Sequence, residues 1–192
     1  MPEAIPGTAR PGKSRTTGRP AGLLVAFAGL PGSGKTTLAR ALAAASGAVY
    51  LRIDAIEQAL RDSGMLAGEV GPAGYLAAYA LAEANLALGA RVVADSVNPL
   101  PVTRQAWRDA AARAGAAIVE VEIRCSDPVE HRRRVEGRRP DLPGLVQPTW
   151  ADVLARDYAP WPGRCLAVET AGRTEADCLA ELQAAISRQP AR

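Results

Sequence analysis

The residues most clearly equipped for chemistry in this chain are nine in a row, Gly29-Leu30-Pro31-Gly32-Ser33-Gly34-Lys35-Thr36-Thr37. They fit the pattern G-x-x-x-x-G-K-[ST]. Glycines let a backbone close around a phosphate with successive N–H groups pointing inward, and a following helix adds the positive end of its dipole. On this reading Gly29, Pro31, Gly32, Ser33, Gly34 and Thr37 shape the cradle, Lys35 bridges the β- and γ-phosphates of a nucleotide, and the Thr36 hydroxyl ligates Mg²⁺. Lysine is scarce here: Lys13 and Lys35 stand against 21 arginines, so the lysine kept in this loop stands out from the chain's own habit.

Three further groups have the right chemistry. Asp54 and Asp95 each follow a short β-rich run, where a carboxylate would open onto a ligand crevice. Asp95 could stand behind Mg²⁺ and the loop threonine, or could merely cap the next helix. The run His131-Arg132-Arg133-Arg134-Val135-Glu136-Gly137-Arg138-Arg139, followed by Pro140, Pro143, Gly144 and Pro148, has the composition of a hinged flap that closes on phosphates. The alternative is a solvated basic helix, and at helical spacing the arginines cannot all face one site. Tyr75 and Tyr79 share a helix face with Glu83 and either line an acceptor pocket or pack in the core.

These residues need a scaffold, and periodicity supplies one. Buried-strand patterns cover Leu23–Ala28, Val49–Ile53, Arg91–Ala94, Ala117–Arg124 and Arg164–Glu169. Helical patterns cover Thr36–Ser46, Ala55–Ser63, Tyr75–Leu88, Val102–Ala114, Pro128–Glu136, Trp150–Arg156 and Thr174–Arg188. Gly64–Gly74 reads as a mobile connection, and the Thr170–Arg173 turn ends the fifth strand where adenine would rest. Strands alternating with helices describe an α/β protein whose parallel sheet is covered on both faces.

Composition narrows the function. At 192 residues and 48% hydrophobic, the chain suits one sizeable core. The net charge of +3 equals that of residues 1–22, a Pro/Gly-rich basic leader expected to be disordered, so residues 23–192 form a formally neutral domain. Neutral charge and 4% aromatic residues argue against nucleic acid as a partner. Cys125, Cys165 and Cys178 lack metal or redox spacing and read as reduced thiols, and no apolar run is long enough to cross a membrane. A cytoplasmic monomer or homodimer is expected.

Taken together, the glycine-rich loop, Asp54, the segment Asp95-Ser96-Val97-Asn98 with Arg104 downstream, and the arginine-rich run resemble the P-loop small-molecule kinases. That group includes gluconate kinase, chloramphenicol phosphotransferase, zeta-toxin, seryl-tRNA kinase and polynucleotide kinase types. The resemblance spans about residues 23–186. It implies the P-loop NTPase fold, a three-layer α/β/α sandwich with sheet order 2-3-1-4-5 and an arginine-rich lid at about 126–148. It further implies ATP and Mg²⁺ as cofactors and a small-molecule hydroxyl as phosphoryl acceptor. Asp54 maps onto a general base or acceptor-orienting carboxylate, Asp95 onto the metal beside Thr36, and the lid onto Arg132–Arg139, where Arg133, Arg134 and Arg138 are the candidates for the phosphates; Arg173 belongs to the turn expected at the adenine. Asn98 maps near the acceptor with Arg104 downstream of it, and Tyr75 and Tyr79 are acceptor candidates only through their shared helix face. A nucleotide-gated regulatory protein and a 5′-hydroxyl nucleic-acid kinase are the rival readings.

Overall fold

A computed structural model describes residues 22–65, 68–161, 163 and 165–189. The expected leader therefore lies, apart from Gly22, outside the described residues. In chain order the elements are β1 (Leu23–Ala28), α1 (Lys35–Ser46), β2 (Val49–Arg52), α2 (Ile53–Asp62), α3 (Ala73–Ala87) and β3 (Arg91–Asp95). There follow α4 (Pro101–Arg113), β4 (Ala117–Arg124), α5 (Pro128–Glu136), α6 (Trp150–Ala155), β5 (Leu166–Glu169) and α7 (Glu175–Ser187).

The five strands pair in the order β2-β3-β1-β4-β5, all in parallel. This is the order of the P-loop NTPase fold. Alternation along the central strand assigns its two faces: Leu24 and Ala26 join one apolar cluster with α3 and α4, while Val25 and Phe27 join another with α1 and α7. Residues 24–28 of β1 are 4% exposed or less, as a strand covered on both sides requires.

Local signals set most boundaries. α1 presents Leu38, Ala39, Leu42 and Ala43 on one face and ends at Gly47, which takes the left-handed conformation at φ 64°. Asp127 caps α5, accepting from the N–H groups of Val129 at 2.8 Å and Glu130 at 3.2 Å. Thr149 and Asp152 form a reciprocal capping box on α6. β2 is shorter than expected, because α2 begins at Ile53, and Asp54 stands in the first helical turn rather than past a strand end. There the helix N-terminus favours its negative charge. α3 begins at Ala73, so the expected loose connection loses its last two residues to the helix.

Candidate active site: two cavities sharing one wall

The loop between β1 and α1 is built on backbone that most residues cannot adopt. Gly29, Gly32 and Gly34 have φ of 144°, 82° and 92°. At Gly32 a Cβ would sit 2.5 Å from Val135 Cγ2, so glycine also lets α5 lie directly on the loop. His131, on the same helix, donates from Nε2 to the Pro31 carbonyl at 2.8 Å, which requires the ring proton on Nε2 because a carbonyl only accepts. On the other side, Thr170 braces the loop: its hydroxyl lies 2.9 Å from the Ser33 carbonyl and accepts from Arg134 at 2.8 Å. Ser33 Oγ is buried without a partner among the described residues.

Two cavities open at the carboxyl ends of the strands, where parallel sheets bind ligands. The first, of about 490 Å³, is bounded by Gly32, Gly34, Thr36 and Thr37 of the loop and by Arg133, Arg134 and Arg173. The second, of about 860 Å³, is bounded by Asp54, Glu57 and Tyr75 on one side and by residues 144–148 with Arg156 on the other. Lys35 and Arg138 belong to both walls. Lys35 is 4% exposed, and among the described residues no carboxylate pairs with it.

Asp95 closes β3 and is 2% exposed. Its Oδ2 accepts from the Tyr50 hydroxyl at 2.7 Å, whereas Oδ1 is buried with no partner among the described residues. Burial, then the Asp95 charge, pushes the Tyr50 hydroxyl well above the ordinary range, so Tyr50 stays a donor. Asp95 does not cap the next helix, since α4 is preceded by Leu100 and lacks a side-chain cap. Asp95 leaves one carboxylate oxygen unpartnered among the described residues, and the Thr36 hydroxyl at the first cavity is free of hydrogen bonds among them; both are hard oxygen donors of the kind Mg²⁺ takes, although Asp95 itself borders neither cavity. Among the described residues no cluster of three or more His, Cys, Asp or Glu could hold a metal by itself, so such an ion would need phosphate and water to complete its shell.

Two residues expected at the acceptor site are elsewhere. Arg104 is 1% exposed and lines neither cavity. Its guanidinium donates to the carbonyls of Asn98 (3.1 Å), Pro99 (2.8 Å), Ala159 (2.7 Å) and Pro160 (3.0 Å), and its Cζ lies 4.0 Å from the Trp161 ring centroid. It ties the β3–α4 loop to the 158–161 segment and spends four of its five N–H donors on backbone carbonyls. Tyr79 packs edge-on against Trp107 at 4.5 Å, and its hydroxyl donates to the Thr103 carbonyl. Asn98 is fully buried at φ 47° between cavity residues Val97 and Pro99, and among the described residues neither of its side-chain polar atoms has a partner. Tyr75 does face the second cavity, and its oxygen accepts from the Asn98 N–H at 3.3 Å.

The arginine run divides by face. Arg133 and Arg138 border cavities, while Arg132 is exposed and pairs with Glu136 at 2.8 Å. Arg134 borders the first cavity while bonded to Thr170 and Glu130, and Arg173 borders it while paired with Glu181 at 2.5 Å. Sequence reading passed over Glu57, Gln58 and Arg61, which share the cavity with Asp54. Their spacing of three, four and seven residues from Asp54 was the available signal. Burial raises the Glu57 carboxyl above its ordinary range. Among the described residues no helix is long and apolar enough to cross a membrane.

Comparison with known proteins agrees with this architecture. The chain is 38% identical to the uncharacterized protein Rv2004c of Mycobacterium tuberculosis, in a match that covers 56% of this chain and 24% of that protein. It thus spans about a quarter of the length of the curated relative. Its fold is similar to that of the Mycobacterium tuberculosis APS kinase CysC in complex with AMPPNP and APS, with a TM-score of 0.67 and 20% identity over 88% of this chain and 99% of that one. It is also similar to a gluconokinase from Sinorhizobium meliloti, with a TM-score of 0.62 and 22% identity over 88% and 94%. A family profile described as an AAA domain matches residues 24–156. With the phosphate-type loop, the 2-3-1-4-5 sheet and that match in hand, the chain belongs to this AAA domain family of P-loop proteins.

Proposed function

We propose that the protein transfers the γ-phosphoryl group of ATP to a hydroxyl of a small molecule. The observation that carries this reading is Lys35, a buried ammonium without a counter-charge among the described residues, standing in the wall common to two cavities. A buried charge of that kind needs an anion, and a shared wall is where a group passing between two ligands would be held. The similarity to an APS kinase and a gluconokinase supports a kinase over other uses of the fold.

On this reading ATP occupies the first cavity. Loop N–H groups and Lys35 hold its phosphates, Arg133, Arg134 and Arg138 offset their charge, and the turn near Arg173 faces the base. Thr36 and Asp95 would hold Mg²⁺, which when bound supplies charge neutralisation at the phosphates. The acceptor occupies the second cavity beside Tyr75, with Asp54 orienting its hydroxyl and taking the proton. Tyr75, whose hydroxyl burial pushes up, remains protonated and can donate to the acceptor. The strap formed by residues 137–149 borders both cavities and excludes water, so transfer outcompetes hydrolysis.

The test is incubation of the protein with γ-labelled ATP, Mg²⁺ and a deproteinised small-molecule extract. A labelled organic phosphate that disappears with Lys35→Ala is the expected result. Release of labelled inorganic phosphate alone would favour a nucleotide-gated regulator, and labelling of 5′-hydroxyl oligonucleotides would favour a nucleic-acid kinase.

A further inference from the structure

The most unusual buried group outside the phosphate loop is Arg52. It is the last residue of β2, it immediately precedes α2, and its side chain is 4% exposed. Its guanidinium meets a carboxylate 89 positions away: Nη1 donates to Asp141 Oδ2 at 2.6 Å and Nη2 to Asp141 Oδ1 at 3.0 Å. That two-pronged match is specific to the planar fork of arginine. The same Nη2 lies 3.4 Å from Asp54 Oδ2. One buried cation therefore stands between the strap and the carboxylate assigned to the acceptor's proton.

Asp141 is the point where the strap is fastened. Arg40 of α1 donates to it at 3.0 Å, and Arg138, from the wall between the cavities, lies 3.8 Å away. The strap also meets α2 directly. A Cβ at Gly144, whose φ is 75°, would sit 2.8 Å from Gln58 Nε2. The strap thus touches α1, β2 and α2, and its charged contacts with the body gather on one carboxylate. The Arg52 pair holds the Asp141 carboxyl well below the usual range, so the pair is ionised whenever the protein is near neutral pH.

We propose that Arg52 is a positioning residue that couples the strap to Asp54, so that seating residues 137–149 and orienting the acceptor-side carboxylate are one event. When Asp141 is engaged, the guanidinium is held by two of its N–H groups and presents the second N–H of Nη2 to Asp54. When Asp141 departs, the buried cation loses its two-pronged partner and keeps only the longer contact with Asp54, so it moves and takes the start of α2 with it. The coupling rests on the phosphoryl-transfer reading only for what Asp54 does with a substrate. The geometry exists without it.

Hydrogen–deuterium exchange on the nucleotide-free protein tests the coupling, with Asp141→Asn, Arg52→Lys and Asp54→Asn compared with wild type. Asp141→Asn should speed exchange by at least about tenfold in peptides from 137–149 and also in peptides from 53–62, while β1 and β3 keep their protection. Arg52→Lys, which keeps the charge but loses the fork, should loosen the same two regions. Asp54→Asn should leave the strap within about twofold of wild type, because the two-pronged pair survives. Loosening of the strap alone, or of α2 alone, would reduce Arg52 to a local structural contact and overturn the proposal. No nucleotide is present, so these outcomes stand apart from the kinase reading. Binding of Mg²⁺·AMPPNP, measured by calorimetry on the same preparations, tests that reading separately.

Discussion

Replacing Arg104 with methionine should weaken the fold and spare the nucleotide site. The side chain is 1% exposed, and among the described residues no carboxylate balances its charge. Its donors go to four carbonyls at 2.7–3.1 Å, and the Trp161 ring lies 4.0 Å from its Cζ. Two effects oppose each other. Methionine fills similar volume and removes the cost of burying a guanidinium, but four carbonyls lose charge-assisted donors, each worth about 1.5–3 kcal/mol when its loss is uncompensated. Water can recover part of that loss at the loop carbonyls, leaving a net destabilisation of about 3 kcal/mol. For a domain of this size the melting temperature should fall by about 6–12 °C. The assay is thermal unfolding by circular dichroism, paired with calorimetry of Mg²⁺·AMPPNP at a temperature where the variant is folded. Affinity should stay within about twofold, since Arg104 borders neither cavity. A variant that melts within about 2 °C of wild type yet loses phosphorylation of the acceptor would return Arg104 to the substrate site and refute the reasoning.

Asp54→Asn should leave nucleotide affinity near wild type and lower transfer to the acceptor by at least about 10²-fold, read as labelled organic phosphate; an active variant would remove Asp54 from the proton transfer. Gly32→Ala should destabilise by about 2–4 kcal/mol, from a left-handed backbone at φ 82° and a Cβ 2.5 Å from Val135 Cγ2, and an unchanged denaturant midpoint would count against the tight seat of α5 on the loop. Because Arg52 depresses the Asp141 carboxyl in the folded state, its stabilising effect is complete above the unfolded pKa of about 3.9 and fades as pH falls toward the lower folded value. The stability gap between wild type and Asp141→Asn should therefore be flat from about pH 5 to 8 and close only below about pH 4; a gap that closes near neutrality would contradict the paired geometry.

How much of this was readable in the chain depends on how far apart the interacting residues are. The loop Gly29–Thr37 was legible because its geometry is local: positive-φ glycines and a helix start follow one another in sequence. The bounds of β1, β4 and α5 were legible for the same reason, through the continuous apolar run of β1, the β-branched residues of β4 that alternate with Glu120 and Glu122, and the Asp127–Pro128 start signal. Asp54 was found as a residue but assigned to the wrong element, since one residue decides whether a strand has ended or a helix has begun. Tyr79 takes the core placement that its helix face left open beside the acceptor one, because packing against Trp107 decides what that face meets, whereas Arg104, expected at the acceptor only from its place after Asn98, is held away from it by backbone carbonyls and Trp161. The pairs Arg52–Asp141, His131–Pro31 and Thr170–Ser33 span 89, 100 and 137 positions and leave no local trace. They are consequences of the sheet order bringing distant loops to one edge.

A loop of backbone amides and one buried ammonium, Lys35, should grip a triphosphate. Isothermal titration of the protein with Mg²⁺·AMPPNP, alongside Lys35→Ala, tests this most directly. Saturable one-to-one heat with wild type and at least about 10²-fold weaker binding with Lys35→Ala are expected, the loss being roughly the 3 kcal/mol of a charge-assisted contact. Absence of heat with folded wild-type protein, or equal affinity in the two proteins, would contradict it.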